Sequence, residues 1–423
     1  MHDTAIERVT AWEALDSRGT PTLGCMVRLA GGAIGQATVP SGASTGSHDA
    51  IERRDDDGDW DGLGVTGSVD ALRTTVSEAL RGADVADVDE RLGQLDPSPQ
   101  LEQLGVHAAL GVSVAAHRAQ AMGAGQPLHA LLSGGTRPHL PLPMVNVVSG
   151  GAHAGGAVDI QDVLVVPVGA SSLREALLWS WRVRRAAAQV AADRGMPATL
   201  VADEGGLGLP LASNAAALEL VTTAIERAEL EPGEQAALAI DVAANQLWDG
   251  RAYRLASEDR ELDADGLIAE VAGWARRFPL VSVEDVLHDA DWEGWRAASD
   301  ALGGIQVLGD DLFATAITRV RDASARGVAN AVLIKPNQRG TLSSAATTVA
   351  GSRDLGYATV VSARSGDTED DWLADLAVGW GAGQIKVGST TRSERTAKWN
   401  RLLQIEAEAE GSATFAGAAA LAR

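Results

Sequence analysis

Short apolar runs recur along the chain, and each stops abruptly at an acid or a cation. ATLVADEGG reaches Glu204, AALAIDVAA reaches Asp241, PLVSVEDV reaches Glu284 and IQVLGDD reaches Asp310. AVLIKPNQ then reaches Lys335, ATVVSARSGD reaches Arg364, and GQIKVGS reaches Lys386. Longer amphipathic stretches such as SNAAALELVTTAIERA and DGLIAEVAGWARRF lie between them. Continuous apolar runs bounded by turn residues suit strands buried on both faces, and their alternation with helices predicts a parallel sheet. The class is therefore α/β, with a (β/α)8-like barrel running from about Met144 onward.

The N-terminal third has a different texture. AIERVTAWEAL and TLGCMVRLAGGAIGQATV predict antiparallel strands joined by turns at DSRGTP and AGG. SVDALRTTVSEALRG and LGVHAALGVSVAAHRAQAMG have helical periodicity. This predicts an α+β capping domain over residues 1–135 and a barrel over 140–423, with the Gly- and Pro-rich SGGTRPHLPLP as the link. No short internal repeat appears beyond the strand–helix alternation. The Ala-rich GSATFAGAAALAR reads as a tail free to fray.

A barrel gathers its strand ends at one face, where its chemistry is done. One acid after a strand is more often a helix cap than a functional group. A succession of charged strand ends is different, because buried charges are costly unless they compensate one another. Three carboxylates around a hard cation, with cations around an anionic substrate, would satisfy that requirement. The pattern predicts an active site.

The 35 basic and 57 acidic residues give a formal charge of −22, which disfavours nonspecific binding to nucleic acid or anionic membranes. It leaves an anionic substrate open, since local cations and a metal reverse the field inside a cleft. The single cysteine, Cys25, sits in the strand-like LGCMVRL, so it reads as a structural thiol and no intrachain disulfide is available. No secretory signal is apparent, and no run approaches the ~20 apolar residues of a membrane span. A cytoplasmic enzyme fits these features.

Many motifs then match one family in order. ALDSRGTPT, VPSGASTGSHDA, GGAHA, VDIQD, ADEGG, IDVAA, VEDVL, GDDLF, IKPNQRGTL, SARSGDTED and GQIKVGSTTRSER resemble the enolase (phosphopyruvate hydratase) family over nearly the whole chain. The resemblance implies removal of a proton beside a carboxylate and loss of a hydroxyl from the neighbouring carbon, with the added negative charge held by cations. Asp241, Glu284 and Asp310 resemble the first Mg²⁺ site, whose oxygen ligands suit that ion. Lys335 matches the general base, its pKa expected to be pulled down by Mg²⁺ and Lys386. Lys386 matches the residue that neutralises the substrate carboxylate.

Glu204 matches the acid that protonates the departing hydroxyl, with a raised pKa expected. Arg364 and Ser365 match ligands of the phosphate, and His153 in GGAHA matches an active-site histidine. Ser44, in the 41–46 segment SGASTG, resembles the loop residue that closes on a second Mg²⁺, so the resemblance implies two Mg²⁺ per site. It also implies a homodimer or a higher homo-oligomer.

Three departures fall inside these motifs. The family's VDIQE reads VDIQD, placing Asp162 where a catalytic-site glutamate is expected. The family's SHRSGE reads SARSGD, so Ala363 replaces a histidine and Asp367 a glutamate. DEGGFAP reads DEGGLGL. A ~1 Å misplacement of a catalytic group can cost ~100-fold in rate.

Three readings follow: an enolase that tolerates the changes, an enolase-like dehydratase for a modified analogue of 2-phosphoglycerate, and a non-catalytic binding protein on the same fold. Idle buried charges are costly, which disfavours the third. The changes cluster at the substrate end, which favours the second. Ala363 would give room for a substituent on the phosphorus-bearing group, as in the synthases that form carboxyphosphonoenolpyruvate in phosphinate antibiotic pathways.

Overall fold

A computed structural model describes residues 3–42, 46–56 and 58–422. Three antiparallel strands open the chain, Ile6–Leu15, Pro21–Leu29 and Ile34–Thr38, in the order predicted from the two turn signals. They pack against the long helix Val106–Gly123, most of which is buried. Cys25 lies fully buried in this core, and burial pushes its thiol up to about 12, so it is a structural group.

The remainder is a closed eight-stranded barrel. Its strands are Leu142–Ser149, Asp162–Val166, Ala237–Asp241, Leu280–Glu284, Gln306–Gly309, Ala331–Ile334, Ala358–Ser362 and Gln384–Gly388. The last pairs with the first to close the ring. Helices alternate with the later strands, and side-chain caps from Ser172, Ser213, Asp263, Asp291 and Thr341 start five of them.

One strand departs from the predicted parallel pattern. Asp162–Val166 runs antiparallel to both of its neighbours. Only residues 150–161 join it to the first strand, and they hold a single helical turn, Gly151–Ala154. A parallel return needs a crossover of a dozen or more residues that is usually a full helix. Two helices, Leu173–Asp193 and Asn214–Arg227, follow before the next barrel strand, and the connection between them adds the two-residue strand Leu207–Gly208 to the end of the first.

Glu204 therefore stands in a helix-to-helix connection and not at the end of a strand. It is held by its backbone, where the Ser389 amide donates to the Glu204 carbonyl at 2.8 Å. The neighbouring Gly205 takes φ +86°, and a Cβ there would meet the Thr391 carbonyl oxygen at 2.7 Å, so only glycine permits this approach.

The alanine-rich tail is also not free. Thr414–Phe415 pairs with His139–Leu140, and Phe415 and Leu421 pack on the apolar residues that fill the lower barrel. Inside that mouth the buried amides of Gln306 and Gln384 bond reciprocally at 3.0 and 2.8 Å, and Gln384 also donates to the Ala420 carbonyl at 2.9 Å.

Backbone bonds join the N-terminal strands to the opposite face of the barrel. Ser41 and Gly366 exchange both backbone bonds, at 2.7 and 3.0 Å, and the Ser17 amide donates to the Asp367 carbonyl at 2.8 Å. The Thr38 amide donates to Asp370 Oδ2 at 2.8 Å.

Candidate active site

The strand ends deliver the predicted charges to one cavity, except that Glu284 lies outside its lining and reaches it through Lys386. Asp241 and Glu284 terminate their strands, while Asp310, Lys335 and Arg364 follow theirs directly or within two residues. Lys386 lies within the final strand. Glu204, His153, Ala363 and Ser365 line the same cavity as Asp241, Asp310, Lys335, Arg364 and Lys386. Ser44 lies outside the described residues.

The charges compensate as expected, though with lysines among the acids. Lys386 Nζ is 2.8 Å from Asp241 Oδ2 and 2.7 Å from Glu284 Oε2. Lys335 Nζ pairs with Asp310 Oδ2. Burial and the nearby Asp241 push Glu284 well above the usual carboxylate range. For Asp241 burial acts in the same sense, but the Lys386 ammonium outweighs it and its pKa falls.

Two expected pKa directions are reversed among the protein groups. Burial would lower Lys335, yet the Asp310 carboxylate overcomes it and raises the lysine above its ordinary value. Burial would raise Glu204, but His153 and then Arg395 stabilise its charged form and lower it. Neither direction follows from residue type, because each is the balance of several neighbours at this one place.

Asp162, expected at the catalytic centre, does not line the cavity. It is fully buried behind the cavity wall, where it accepts from Asn146 Nδ2 and from Ser149 Oγ at 3.0 Å. Its Oδ2 lies 3.2 Å from His153 Nδ1, while His153 Nε2 is 4.0 Å from Glu204. Burial disfavours a charged imidazole here, but Asp162 and Glu204 more than offset it and raise His153 to about 9. The aspartate thus lies against the histidine and favours its charged form.

At the anion end, Arg364 Nη1 donates to Asn337 Oδ1 at 2.9 Å and stands 3.6 Å from Asp49 Oδ2. The fully buried Arg395 holds this segment from below, donating to the carbonyls of Arg364 and Ser365, both at 2.6 Å. Ala363 is 6 % exposed and lines the cavity beside Arg364. Asp367 is drawn away into an ion pair with the buried Lys398 at 2.9 Å.

Several cavity residues escaped the sequence reading. Gln161 donates to Asp241 Oδ2 at 3.1 Å, and Gln338 donates to Asp310 Oδ1 at 3.0 Å. Asp285 and Asp311 gather with Asp310, their oxygens within 4.8 Å of one another. Their signal was present in the doubled acids of VEDV and GDDLF. Arg395 and Asp49 carried no signal beyond lying in a motif.

The comparisons with known families agree with this geometry. The model described as "Enolase, N-terminal domain" matches residues 6–132, and "Enolase, C-terminal TIM barrel domain" matches residues 137–423. The chain belongs to the enolase family. Membership in the enolase family supports an enolase-like, Mg²⁺-dependent dehydratase.

The residues present fit such an ion. Glu284 Oε1 is buried and accepts no hydrogen bond. Asp241, Glu284, Asp285, Asp310 and Asp311 outnumber the two ammonium groups, and their mutual repulsion disfavours ionising all five together. Burial and then Asp310 raise Asp311 to about 7, and burial and then Asp311 raise Asp285 well above the usual carboxylate range. An all-oxygen, electron-rich donor set suits a hard divalent cation. Among the described residues Asp310 forms a compact group with Asp285 and Asp311, while Asp241 and Glu284, expected with it from the sequence, meet at the Lys386 ammonium. Among the described residues, no helix is long and apolar enough to cross a membrane.

Proposed function

We propose that this enolase-family protein is a Mg²⁺-dependent dehydratase that eliminates water from a phosphorus-modified analogue of 2-phosphoglycerate, giving an enolpyruvate product. Carboxyphosphonoenolpyruvate, in phosphinate antibiotic biosynthesis, is one such product. The observation that carries the reading is Ala363, whose methyl group lines the cavity next to Arg364 where the family resemblance places an imidazole. A small side chain there opens space at the phosphorus-bearing end and leaves the acids and lysines intact.

Lys335 takes the proton from the carbon beside the substrate carboxylate, and Lys386 faces that carboxylate. Glu204 gives a proton to the departing hydroxyl. His153, held by Asp162, sets the charge around Glu204. Arg364 and Ser365 hold the phosphorus-bearing group, the planar fork of the arginine suiting an oxyanion. Bound Mg²⁺ supplies electrostatic stabilisation of the charge that builds on the substrate carboxylate. Ser44 is carried over as a ligand of a second Mg²⁺ on the resemblance alone. The protein groups by themselves favour a protonated Lys335 and an ionised Glu204, the pair needed to add water in the reverse direction.

The intact acids and lysines also favour a second reading, an ordinary enolase acting on 2-phosphoglycerate. We infer a cytoplasmic homodimer or higher homo-oligomer in either case.

The deciding experiment follows the ultraviolet absorbance of a forming enolpyruvate from 2-phosphoglycerate and Mg²⁺, with a chelator control. Little turnover by folded protein, with turnover restored by a glycerate bearing a carbon substituent on phosphorus, is the expected result. Rapid, chelator-sensitive turnover of 2-phosphoglycerate overturns the modified-substrate reading in favour of enolase. A chain that dehydrates neither substrate is the non-catalytic binding protein.

A further inference from the structure

A closed ring of hydrogen bonds starts and ends on Lys335. Its backbone N–H donates to Thr315 Oγ1 at 2.9 Å. Thr315 Oγ1 donates to Gln338 Oε1 at 2.5 Å, and Gln338 Nε2 donates to Asp310 Oδ1 at 3.0 Å. Asp310 Oδ2 meets the Lys335 ammonium and closes the ring. The chemistry fixes the direction of each bond. The Lys335 amide can only donate, so the threonine hydroxyl keeps its proton for an acceptor, and Gln338 Oε1 at 2.5 Å is nearer than the Lys335 carbonyl at 3.3 Å. That leaves the Gln338 NH₂ facing Asp310.

A second observation points to the same residues. Ala314 and Thr315 both take left-handed backbone angles, φ +44° and +52°. A β-branched residue is a genuine outlier there, and such outliers persist where the surroundings over-determine them. Glycine would serve a plain turn better. Thr315 is fully buried, and its own carbonyl is held by Thr348 Oγ1 at 2.7 Å, so the strained turn is pinned from both sides.

We propose that Thr315 and Gln338 are positioning residues that fix one oxygen of Asp310, so that its other oxygen is presented either to Lys335 or to a divalent cation. This role rests on the reading that a cation binds at these acids. The two residues touch no reacting atom; they act through Asp310. Gln338 also bonds through its backbone to the N-terminal part of the chain, its carbonyl accepting from Ala50 N at 3.0 Å. The ring thus ties that part to the acid.

The test is a titration with Mn²⁺, reading the free ion by electron paramagnetic resonance, alongside thermal melting. Outer partners of a metal ligand typically contribute ~10–100-fold in affinity. Thr315→Val and Gln338→Met should bind Mn²⁺ about tenfold or more weakly, while Thr315→Ser, which keeps the hydroxyl, binds like the parent. Thr315→Gly relieves the left-handed strain but leaves the Lys335 amide unpaired, and it should bind weakly whatever its melting temperature. Parent-like affinity in both Thr315→Val and Gln338→Met overturns the positioning role. Affinity that merely follows melting temperature across all four variants also overturns it. A parent chain with no saturable Mn²⁺ binding would instead remove the cation reading beneath it, and this role with it.

Discussion

The Asp162 carboxylate stands 3.2 Å from Nδ1 of His153 and is absent from the cavity wall that the imidazole helps to form. A residue expected at the catalytic centre thus touches a cavity side chain and not the cavity itself. The raised histidine has a definite sign: the stability it contributes is fully present below its unfolded value of 6.5 and is lost as pH rises through about 9. Replacing Asp162 with Asn should lower the His153 pKa by about one unit or more, since the neighbouring charge and its hydrogen bond are removed together. A nuclear magnetic resonance titration of the His153 ring measures this directly. An unchanged midpoint would show that Glu204 alone holds the charge.

Lys335→Ala should cut turnover by about a thousandfold, within the usual range for a general base. The fold and Mn²⁺ binding should survive, because Asp310 keeps its bond from Gln338. Substantial residual turnover would refute the assignment as base.

Ala363→His should improve the handling of plain 2-phosphoglycerate, with the Michaelis constant falling more than the turnover number rises. The side chain enters from the cavity wall beside Arg364, where it supplies a donor and fills space. No gain, or a loss, counts against the enlarged pocket.

A structural prediction concerns Asp375, well away from the cavity. Burial would raise it, but hydrogen bonds from Arg401, at 2.8 Å to each oxygen, and from His129 bring it down to about 2. A depressed carboxylate contributes stability above its unfolded value of 3.8 and loses it as pH falls toward 2. The shift corresponds to about 2 kcal/mol at neutral pH. Asp375→Asn should lose roughly that amount in urea unfolding at pH 7, and its stability should vary less between pH 4 and about 2. A parent-like slope in the variant would rule this out.

The strand ends were legible because an apolar run and the charge that stops it are adjacent in sequence. That placed Asp241, Glu284, Asp310, Lys335 and Lys386 correctly at the mouth of one barrel. The direction of Asp162–Val166 was not legible, since an apolar run reads the same either way and its neighbours are set by distant pairing. Glu204 was placed on a strand for a related reason: ATLV looks extended, whereas a backbone bond from Ser389 fixes the site. The tail gave no warning either, since its small apolar residues acquire partners only once the barrel mouth exists. The pKa directions of Lys335 and Glu204 depend on sums over several side chains, which no local motif contains.

The paired Ser41 and Gly366 backbones have a consequence for how the molecule melts. Either partner, if released alone, would leave buried amides and carbonyls unpaired in the other. The antiparallel strands at the start of the chain and the segment that carries Arg364 therefore share one fate on heating. A calorimetric trace should show a single peak in which loss of the anion grip and loss of the N-terminal sheet coincide; two separated peaks would mean that the joint yields first.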